Sequence, residues 1–319
     1  MLSSSCLRKP AVDFQQVSLV IVHYGQEEFL IHLLDSLESH PDAVIIDELI
    51  VVNNQEQSLS PEAFRWLSGW ARRYWVLGSA GGGYAAAVNR GVAAATGDIL
   101  LISNNDIQWR PDSSVRALFP HFRDPAVGVV GPQLMYPDGS WQRSYGSFPS
   151  PLTALASCLF LDTMRHIVAS FFFQRGLWQR ARVVDYVDGA FMAVRRTCFE
   201  EVGGFDEEFT FYGEEVDFCF RASRRGWKVL WEPGARIVHL RGATSARVDA
   251  GAYARRLLEA QCRFINKHYG ARPERRYRRL IRWAMAERAV MYRWIARLHP
   301  SPQWQARAEE ARLRYEAIL

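Results

Sequence analysis

The sequence predicts an α/β fold built on a doubly wound, largely parallel sheet. Short, wholly apolar runs alternate with segments of helical periodicity over the first hundred residues. Apolar runs without polar alternation are typical of strands that are covered on both faces. The chain has 319 residues, 49% of them hydrophobic and 23% charged. This is enough for one large core with an appendage, or for two modest domains.

The first half reads as alternating strands and helices. Its predicted strands are residues 17–22, 49–52, 75–77 and 99–102, and its predicted helices are residues 27–39, 64–72 and 84–95. The first helix carries Phe29, Leu30, Leu33, Leu34 and Leu37 at helical spacing. Such alternation of strand and helix favours parallel pairing of the strands.

The pattern changes after Pro111. Predicted strands at 127–130, 186–194, 229–231 and 237–240 have irregular connections, which indicates a mixed extension of the sheet. Residues 214–225 read as a helix, and the chain is helical from about residue 250, with breaks near Pro273 and at Pro300 and Pro302. We therefore expect a catalytic domain at residues 1–245 and a helical region at 246–319.

Composition excludes several classes of protein. Five cysteines lie far apart without a CxxC pair, so we expect reduced, buried thiols rather than a disulfide scaffold or a zinc site. Residues 1–16 lack the apolar run of a signal peptide. The apolar stretch at 152–173 is interrupted by Asp162, Arg165 and His166, which favours a buried or interfacial helix over a spanning one.

Polar side chains follow three of the buried strands. His23 and Tyr24 come after the first strand, Asn53 and Asn54 after the second, and Ser103, Asn104, Asn105 and Asp106 after the fourth. Open α/β sheets bind ligands at the carboxyl ends of their strands, so these residues should open onto one crevice. Any single group of this kind is more often ordinary turn chemistry.

Asp106 is the strongest candidate in the first half. A carboxylate at a strand end is a suitable oxygen ligand for Mg²⁺ or Mn²⁺ bound to a diphosphate. Such a cation stabilises a departing diphosphate as it gains charge.

A second group of candidates lies between Gly203 and Asp217. Glu214 and Glu215 begin a predicted helix, and one of them could take a proton from an incoming hydroxyl. Two acids at a helix N-terminus also favour the helix dipole, which is the plainer interpretation of this pair alone. His239, at the end of an apolar strand, is likewise more often structural than a ligand when it is considered alone.

Taken together, these segments resemble the family 2 glycosyltransferases of the GT-A fold, in particular the bacterial rhamnosyltransferase-like branch. The resemblance covers about residues 17–245. It depends on a set of motifs in order: VSLVIVHYG, ELIVVNN, GGGYAAAVNRG, GDILLISNNDI, PDGS, DGAFMAVRR, GGFDEEF, YGEEVDFCFR and HLRGATS.

The resemblance implies a Rossmann-like nucleotide-binding sheet and an inverting transfer of sugar. It implies Glu215 as the catalytic base, Asp106 and His239 as metal ligands, and a set of residues around the sugar or acceptor: Asp188, Gly189, Glu214 and Asp217. The implied donor site comprises His23, Tyr24, Asn53, Gly82, Gly83, Asn89, Asn104, Asn105 and Asp106.

Three positions depart from the family pattern. Asn53 stands where the family usually has an aspartate against the pyrimidine, and its carbonyl could accept the N3–H of uracil or thymine. Asn104 replaces the first acid of the DxD-like element, and Glu215 is one methylene longer than the usual base. The glycines at 81–83 allow close approach to the nucleotide, but they do not form the GxGxxG of a nicotinamide site.

The expected partners are a nucleoside-diphosphate sugar (dTDP- or UDP-linked, rhamnose as first choice) and a saccharide or lipid-linked saccharide acceptor. Two parts of the chain fit either a membrane surface or a homodimer interface. They are the segment at 152–173 and an arginine-rich tail that contains Arg272, Arg275, Arg276, Arg278, Arg279 and Arg282. We expect no nucleic acid as a partner. The expected location is the cytoplasm, with the inner face of the membrane as a peripheral site. A nucleotide-sugar-binding protein without turnover, and an NAD-dependent oxidoreductase, are the alternative functions.

Overall fold

A computed structural model of the chain describes residues 16–70, 73–78, 82–177, 180–210, 212–240 and 250–318. The strands are β1 Val17–His23, β2 Glu48–Asn53, β3 Arg73–Gly78, β4 Ile99–Asn104, β5 Ile107–Gln108, β6 Val127–Met135, β7 Tyr145–Gly146, β8 Arg182–Val183, β9 Tyr186–Val187, β10 Phe191–Arg195 and β11 Lys228–His239. The α-helices are α1 Glu27–Glu38, α2 Pro61–Gly69, α3 Gly83–Ala94, α4 Pro151–Cys158, α5 Leu161–Gln174, α6 Arg196–Val202, α7 Glu214–Arg224, α8 Ala250–Tyr269, α9 Ala271–Leu298 and α10 Pro302–Ala317.

The main sheet is parallel on one side and mixed on the other. Its strands follow the order β3-β2-β1-β4-β10-β6-β11-β5, and β8 pairs with β11. Strands β1 to β4 are mutually parallel, whereas β10 runs antiparallel to both β4 and β6. This confirms the predicted α/β class, the doubly wound first half and the mixed extension.

Apolar side chains fill both faces of this sheet. One face packs against α1 and α2, with Leu30, Leu33 and Leu37 fully buried. The other face packs against α3, α6 and α7, where Phe218 and Cys219 are fully buried. Burial on both faces explains why the strands read as continuous apolar runs rather than as alternating ones.

Two strand predictions are wrong in detail. Residues 186–194 do not form one strand, because β9 leaves the main sheet to pair with β7 before β10 begins. The predicted strands at 229–231 and 237–240 are one strand, β11, whose register with β6 shifts between Glu232 and Arg236. An irregularity of this kind accommodates Pro233, which has no N–H to donate to the sheet.

Helix ends also differ from the prediction at two points. Helix α2 begins at Pro61 rather than at residue 64, since the Ser60 hydroxyl accepts a hydrogen bond from the Ala63 N–H and caps it. The break between α8 and α9 falls at Gly270, where φ is +87°, and not at Pro273. Proline is tolerated in a first turn because the N–H groups there have no partner within the helix.

The apolar segment at 152–173 forms two short helices rather than one. Helix α4 ends at Cys158, and α5 starts after Phe160, which has the left-handed φ of 56°. No single helix of the described chain is long and apolar enough to cross a bilayer. Pro151–Cys158 and Thr163–Phe173 have the length and apolar composition of a membrane span only when the two helices are taken together, and they meet at an angle of 79°.

The C-terminal helices share a core with the catalytic half. Leu258, Phe264 and Ile265 of α8 pack in one cluster with Phe209 and with Val216 of α7. The predicted domain boundary at 245/246 lies in 241–249, outside the described residues.

Candidate active site

The carboxyl ends of the parallel strands meet at one edge of the sheet. In the strand register His23 lies beside Asn53, and Val22 lies beside Asn104. The start of β10 reaches the same edge because β10 runs antiparallel to β4, and the Asn104 N–H donates to the Ala190 carbonyl at 2.9 Å. Strand topology therefore places Asp188 and Gly189 beside the residues that follow β1, β2 and β4.

Asp106 and His239 lie side by side although 133 positions separate them. Strand β5, directly after Asp106, pairs with the end of β11, and the Leu240 N–H donates to the Asp106 carbonyl at 2.9 Å. As a result His239 Nε2 lies 3.3 Å from Asp106 Oδ1, and both side chains are buried. Within the part of the chain that the structure describes, Asp106 Oδ1 has no hydrogen-bond donor.

Gln142 fixes which nitrogen of His239 carries a proton. The Gln142 amide nitrogen donates to the His239 carbonyl at 3.3 Å, so its Oε1 faces His239 Nδ1 at 2.7 Å and accepts from it. The bond to Gln142 therefore orients the ring so that Nε2 faces the carboxylate of Asp106. A histidine held in this way beside a carboxylate can share a proton with it or bind a cation together with it.

The two glutamates at the start of α7 form the opposite wall. Gly213, with φ of +89°, precedes the helix, and its N–H donates to Glu215 Oε2 at 3.2 Å. Glu215 packs directly on Gly189, where an added Cβ would lie 3.2 Å from the Glu215 Cβ. Burial, and then the charge of Asp188, raises the pKa of Glu215 to about 7. Burial and the neighbouring Glu215 raise the pKa of Glu214 well above its usual range.

Tyr84 connects the two walls. Its hydroxyl donates to the Gly189 carbonyl at 2.9 Å. Burial is the largest cause that raises the pKa of Tyr84, and the charges of Glu214, Glu215, Asp188 and Asp106 add to it. Tyr84 and Glu215 therefore both contact Gly189, and the charge of Asp106 acts on the same hydroxyl.

The residues after β1 and β2 form the far end of the crevice. The Asn53 amide donates to the Gln57 carbonyl at 2.7 Å, while its buried Oδ1 has no donor. Tyr24 is 52% exposed, and Asn104 is half-buried. Asn53 Oδ1 is thus an acceptor without a donor among the described residues, and the Tyr24 side chain is open to solvent. Gly82 caps α3 at this end.

Two residues predicted to contact the donor have structural partners instead. His23 is fully buried, with its two ring nitrogens 2.9 Å from the Asn105 amide and 3.1 Å from the Gln55 amide. The Asn105 amide also donates to the Tyr24 carbonyl. His23 and Asn105 therefore hold the end of β1 in place through these hydrogen bonds.

Three further predicted residues also serve the fold. The Asn89 side chain bonds the Phe205 backbone through both its amide and its carbonyl, so it holds the loop after α6. Gly83 lies against the Thr210 backbone, and an added Cβ would be 3.2 Å from the Thr210 carbonyl oxygen, so protein rather than nucleotide occupies that space. The Asp217 carboxylate is fully buried and takes part in an ion cluster with Arg221, Lys267 and His268.

Tyr84 and Gln142 were missed by sequence reasoning. Tyr84 lies inside the alanine-rich helix after the glycines, where its position reads as an ordinary apolar contact. Gln142 follows the PDGS turn and pairs with β6 through Leu134, and it reaches His239 because β6 lies beside β11. The two glycines directly before Tyr84 were a weak indication of a binding site there, and no neighbouring residue in the sequence indicated a role for Gln142.

Comparison with known proteins defines the class. A model of glycosyl transferase family 2 matches residues 18–203, more than half of the chain. N-acetylglucosaminyl-diphospho-decaprenol L-rhamnosyltransferase of Mycobacterium tuberculosis is 29% identical over 224 residues, which cover 64% of this chain and 68% of that protein. The O-antigen biosynthesis protein RfbC of Myxococcus xanthus is 29% identical over 246 residues, 76% of this chain and 19% of that protein.

Solved structures agree on the fold. A mannosyltransferase of Pyrobaculum calidifontis, solved with GDP-Man and Mn²⁺, superposes with a TM-score of 0.61 at 16% identity, over 95% of this chain and 85% of that one. GalNAc-T7, solved with UDP, GalNAc and Mn²⁺, gives a TM-score of 0.56 at 15% identity, over 87% of this chain and 57% of that one.

The architecture is therefore that of the GT-A nucleotide-sugar transferases. The chain belongs to glycosyl transferase family 2. It is a glycosyltransferase that uses a nucleotide sugar, which excludes the oxidoreductase alternative.

Proposed function

We propose that this enzyme transfers a hexose from a nucleoside diphosphate to an acceptor hydroxyl with inversion at the anomeric carbon. Glu215 is the general base. Its carboxylate takes the proton of the acceptor hydroxyl while that oxygen bonds to C1 of the sugar. The bond from C1 to the diphosphate breaks in the same step, and the nucleoside diphosphate leaves with the electron pair. A pKa of about 7 suits this role, because the base is then both available and strong enough near neutral pH.

The observation that carries this proposal is that the end of β4 and the start of α7 meet at residues 188–190. The Asn104 N–H, two residues before Asp106, donates to the Ala190 carbonyl, and Glu215 packs on Gly189. A displacement needs a base on one side of the reacting carbon and a stabilised leaving group on the other. The crevice supplies residues for both tasks.

Asp106 and His239 fit a divalent cation, Mg²⁺ or Mn²⁺. The Asp106 Oδ1 is buried without a donor from the described residues, and His239 Nε2 faces it at 3.3 Å. A bound cation would neutralise charge on the leaving diphosphate. Two protein ligands leave further coordination positions for phosphate oxygens and water, as is common for Mg²⁺ with nucleotides.

For the donor we propose dTDP-rhamnose, with a lipid-linked saccharide as acceptor. The support is the similarity to a rhamnosyltransferase whose name describes a diphospho-decaprenol acceptor. Asn53 Oδ1 is a free acceptor at the far end of the crevice, which suits the N3–H of thymine or uracil.

Glu215→Gln tests the general base. The amide keeps the size of the side chain but cannot accept the proton, so we expect transfer to fall by roughly 10²–10⁴-fold. Donor binding in the presence of Mn²⁺, measured by calorimetry, should stay within about threefold of the wild type. Glu208→Gln, on the exposed loop before α7, is the matched control and should leave both quantities unchanged. Full turnover by Glu215→Gln would contradict the proposal, and binding without transfer in the wild type would favour the non-catalytic alternative.

His239→Ala tests the cation ligands. We expect the Mn²⁺ concentration for half-maximal donor binding to rise roughly 10-fold or more, because one ligand is lost while Asp106 remains. The exposed His32→Ala is the control. A wild-type Mn²⁺ titration curve for a folded His239→Ala protein would show that His239 is structural.

A further inference from the structure

One face of α9 carries both arginine and tryptophan side chains. At 100° per residue, Arg272, Arg276, Arg279, Trp283, Val290, Trp294 and Arg297 fall within about 40° of one line along the helix. All seven are exposed, and Trp283 and Trp294 are 64% and 61% exposed. A tryptophan buries about 150–250 Å² when it is covered, so these two alone leave roughly 200–300 Å² of aromatic surface in water. This α9 face has cationic ends and an apolar centre.

Helices α4 and α5 add a second exposed apolar surface. Leu152, Leu155 and Leu159 recur at helical spacing along the outer side of α4 and the turn after it. On α5 the exposed residues at one side are Leu161, Met164, Ile167, Val168 and Phe171, each about half exposed, and the exposed Arg175 continues their line. Soluble monomeric proteins rarely expose so many large apolar side chains side by side.

The two surfaces are joined. The Arg288 guanidinium on α9 donates to the Ser157 carbonyl at 2.9 Å and lies over the Phe160 ring at 4.9 Å. Between them is an open groove of about 640 Å³, whose lining includes Phe160, Trp283, Val290, Met291 and Trp294. Among the described residues that line this groove, Glu287 is the one acid. The α9 face, the groove and the outer sides of α4 and α5 therefore form one surface, which we name the α4/α5/α9 surface.

We propose that the α4/α5/α9 surface docks the enzyme on an anionic lipid bilayer. Apolar side chains enter the boundary between headgroups and acyl chains, and arginines at the edge contact lipid phosphates. Tryptophan favours this boundary, because its ring is apolar and its N–H is polar. Arginine can keep its stem in the apolar layer while its guanidinium stays at the headgroups. Neither α4 nor α5 has the length to cross a bilayer alone, which agrees with lying on it.

Charge favours a bilayer over a second copy of the chain. In a two-fold dimer the same patch lies on both subunits, so the four arginines of one α9 face would meet those of the other, with only Glu287 in the groove to offset them. An anionic membrane offers the opposite charge over the whole surface, so each arginine near it adds to the attraction. The proposal does not depend on the chemistry at Glu215.

Vesicle flotation of the full-length protein tests the proposal. With vesicles of phosphatidylcholine and 30–40% phosphatidylglycerol, roughly the anionic content that gives a strong surface potential, we expect most of the protein to float at low salt. The floated fraction should fall severalfold on pure phosphatidylcholine, or at about 0.5 M NaCl, since surface charge is then screened. Trp283→Ala with Trp294→Ala should reduce flotation at least about fivefold, and so should Arg272→Gln with Arg276→Gln and Arg279→Gln.

Matched variants separate this surface from general effects. Trp75→Ala removes a tryptophan that is 50% exposed on β3, and Arg65→Gln with Arg90→Gln removes exposed charge from α2 and α3. Both controls, and Glu215→Gln, should float like the wild type. Three results would overturn the proposal: no flotation on anionic vesicles at low salt, equal flotation of the surface and control variants, or a wild-type dimer in light scattering that Trp283→Ala with Trp294→Ala converts to monomer.

Discussion

At the scale of single residues, the ionisation of Glu215 governs the proposed reaction. The group must be charged to accept a proton, and burial together with the charge of Asp188 raises its pKa from 4.5 to about 7. The raised value means that Glu215 is mostly protonated at pH 6 and mostly ionised at pH 8. We therefore predict that kcat/KM rises about tenfold per pH unit below pH 7 and reaches a plateau above pH 8. Initial rates from pH 5.5 to 9, at saturating Mn²⁺, measure this profile.

Asp188→Asn distinguishes the cause of the raised pKa. Asparagine keeps the acceptor for the Ala190 N–H, which Asp188 Oδ1 binds at 3.0 Å, but removes the negative charge beside Glu215. The pKa of Glu215 should fall, so the ascending limb of the pH profile should move toward acid pH. A limb that stays at the same pH would mean that burial alone sets the pKa. A profile without any ionisation between pH 5.5 and 8.5 would remove Glu215 as the base.

The positions of some individual site residues could be predicted from the sequence, and those of others could not. Asp106 and His239 were expected to lie together, and they do, because each follows a strand whose apolar run is visible in the sequence. Asn89 and Asp217 sit in equally acidic or amide-rich motifs, yet their side chains bind other parts of the fold. Residue type and spacing do not report which way a side chain faces on a helix that is packed on two sides. Gln142 was missed for a related reason, since its partner is 97 residues away.

At the scale of elements, an ion cluster joins α8 to α7, the helix that carries Glu215. Asp217 is fully buried and lies 2.6 Å from Arg221, 2.7 Å from Lys267 and 2.7 Å from His268. Lys267 also contacts Asp206 at 2.6 Å, so the cluster includes the loop before α7. Three donors converge on one carboxylate from two helices, and this arrangement links α8 to the first turn of α7.

Asp217→Asn should therefore destabilise the fold. Removal of the charge leaves Arg221, Lys267 and His268 around a neutral amide, and we expect a loss of roughly 3 kcal/mol in the free energy of unfolding. Glu309→Gln breaks an exposed pair with Arg312 on α10, which water and salt screen, so it should change the stability far less than Asp217→Asn does. Urea unfolding followed by circular dichroism measures both. Equal stabilities of the two variants would show that the cluster does not hold α8 to α7.

At the scale of the whole molecule, the positions of the first four strands along the chain were predictable, and the packing of the C-terminal helices was not. Apolar runs and helical periods report local structure, so β1, β2, β3 and β4 were placed within one or two residues. The prediction that the C-terminal region is helical is also confirmed. The sequence could not predict how these helices pack, because α8 to α10 have polar stretches and short apolar repeats. Such a pattern fits a helix in solvent as well as a helix packed on the rest of the protein. The structure shows Leu258 and Ile265 of α8 beside Phe209 and Val216.

The shared core predicts that residues 16–318 unfold as one unit rather than as a catalytic domain with a separate helical region. Phe209 and Val216 are buried by α8, and Tyr277 of α9 and Ile318 after α10 belong to the same cluster. Loss of the helices would expose this apolar surface and leave Asp217 without Lys267 and His268. Unfolding in urea, followed by helix circular dichroism and by tryptophan fluorescence, should give coincident midpoints. A chain truncated after residue 245 should fail to give a cooperative transition. Two separate transitions in the full chain, or a truncated chain that unfolds with the full-length midpoint, would instead establish two independent domains.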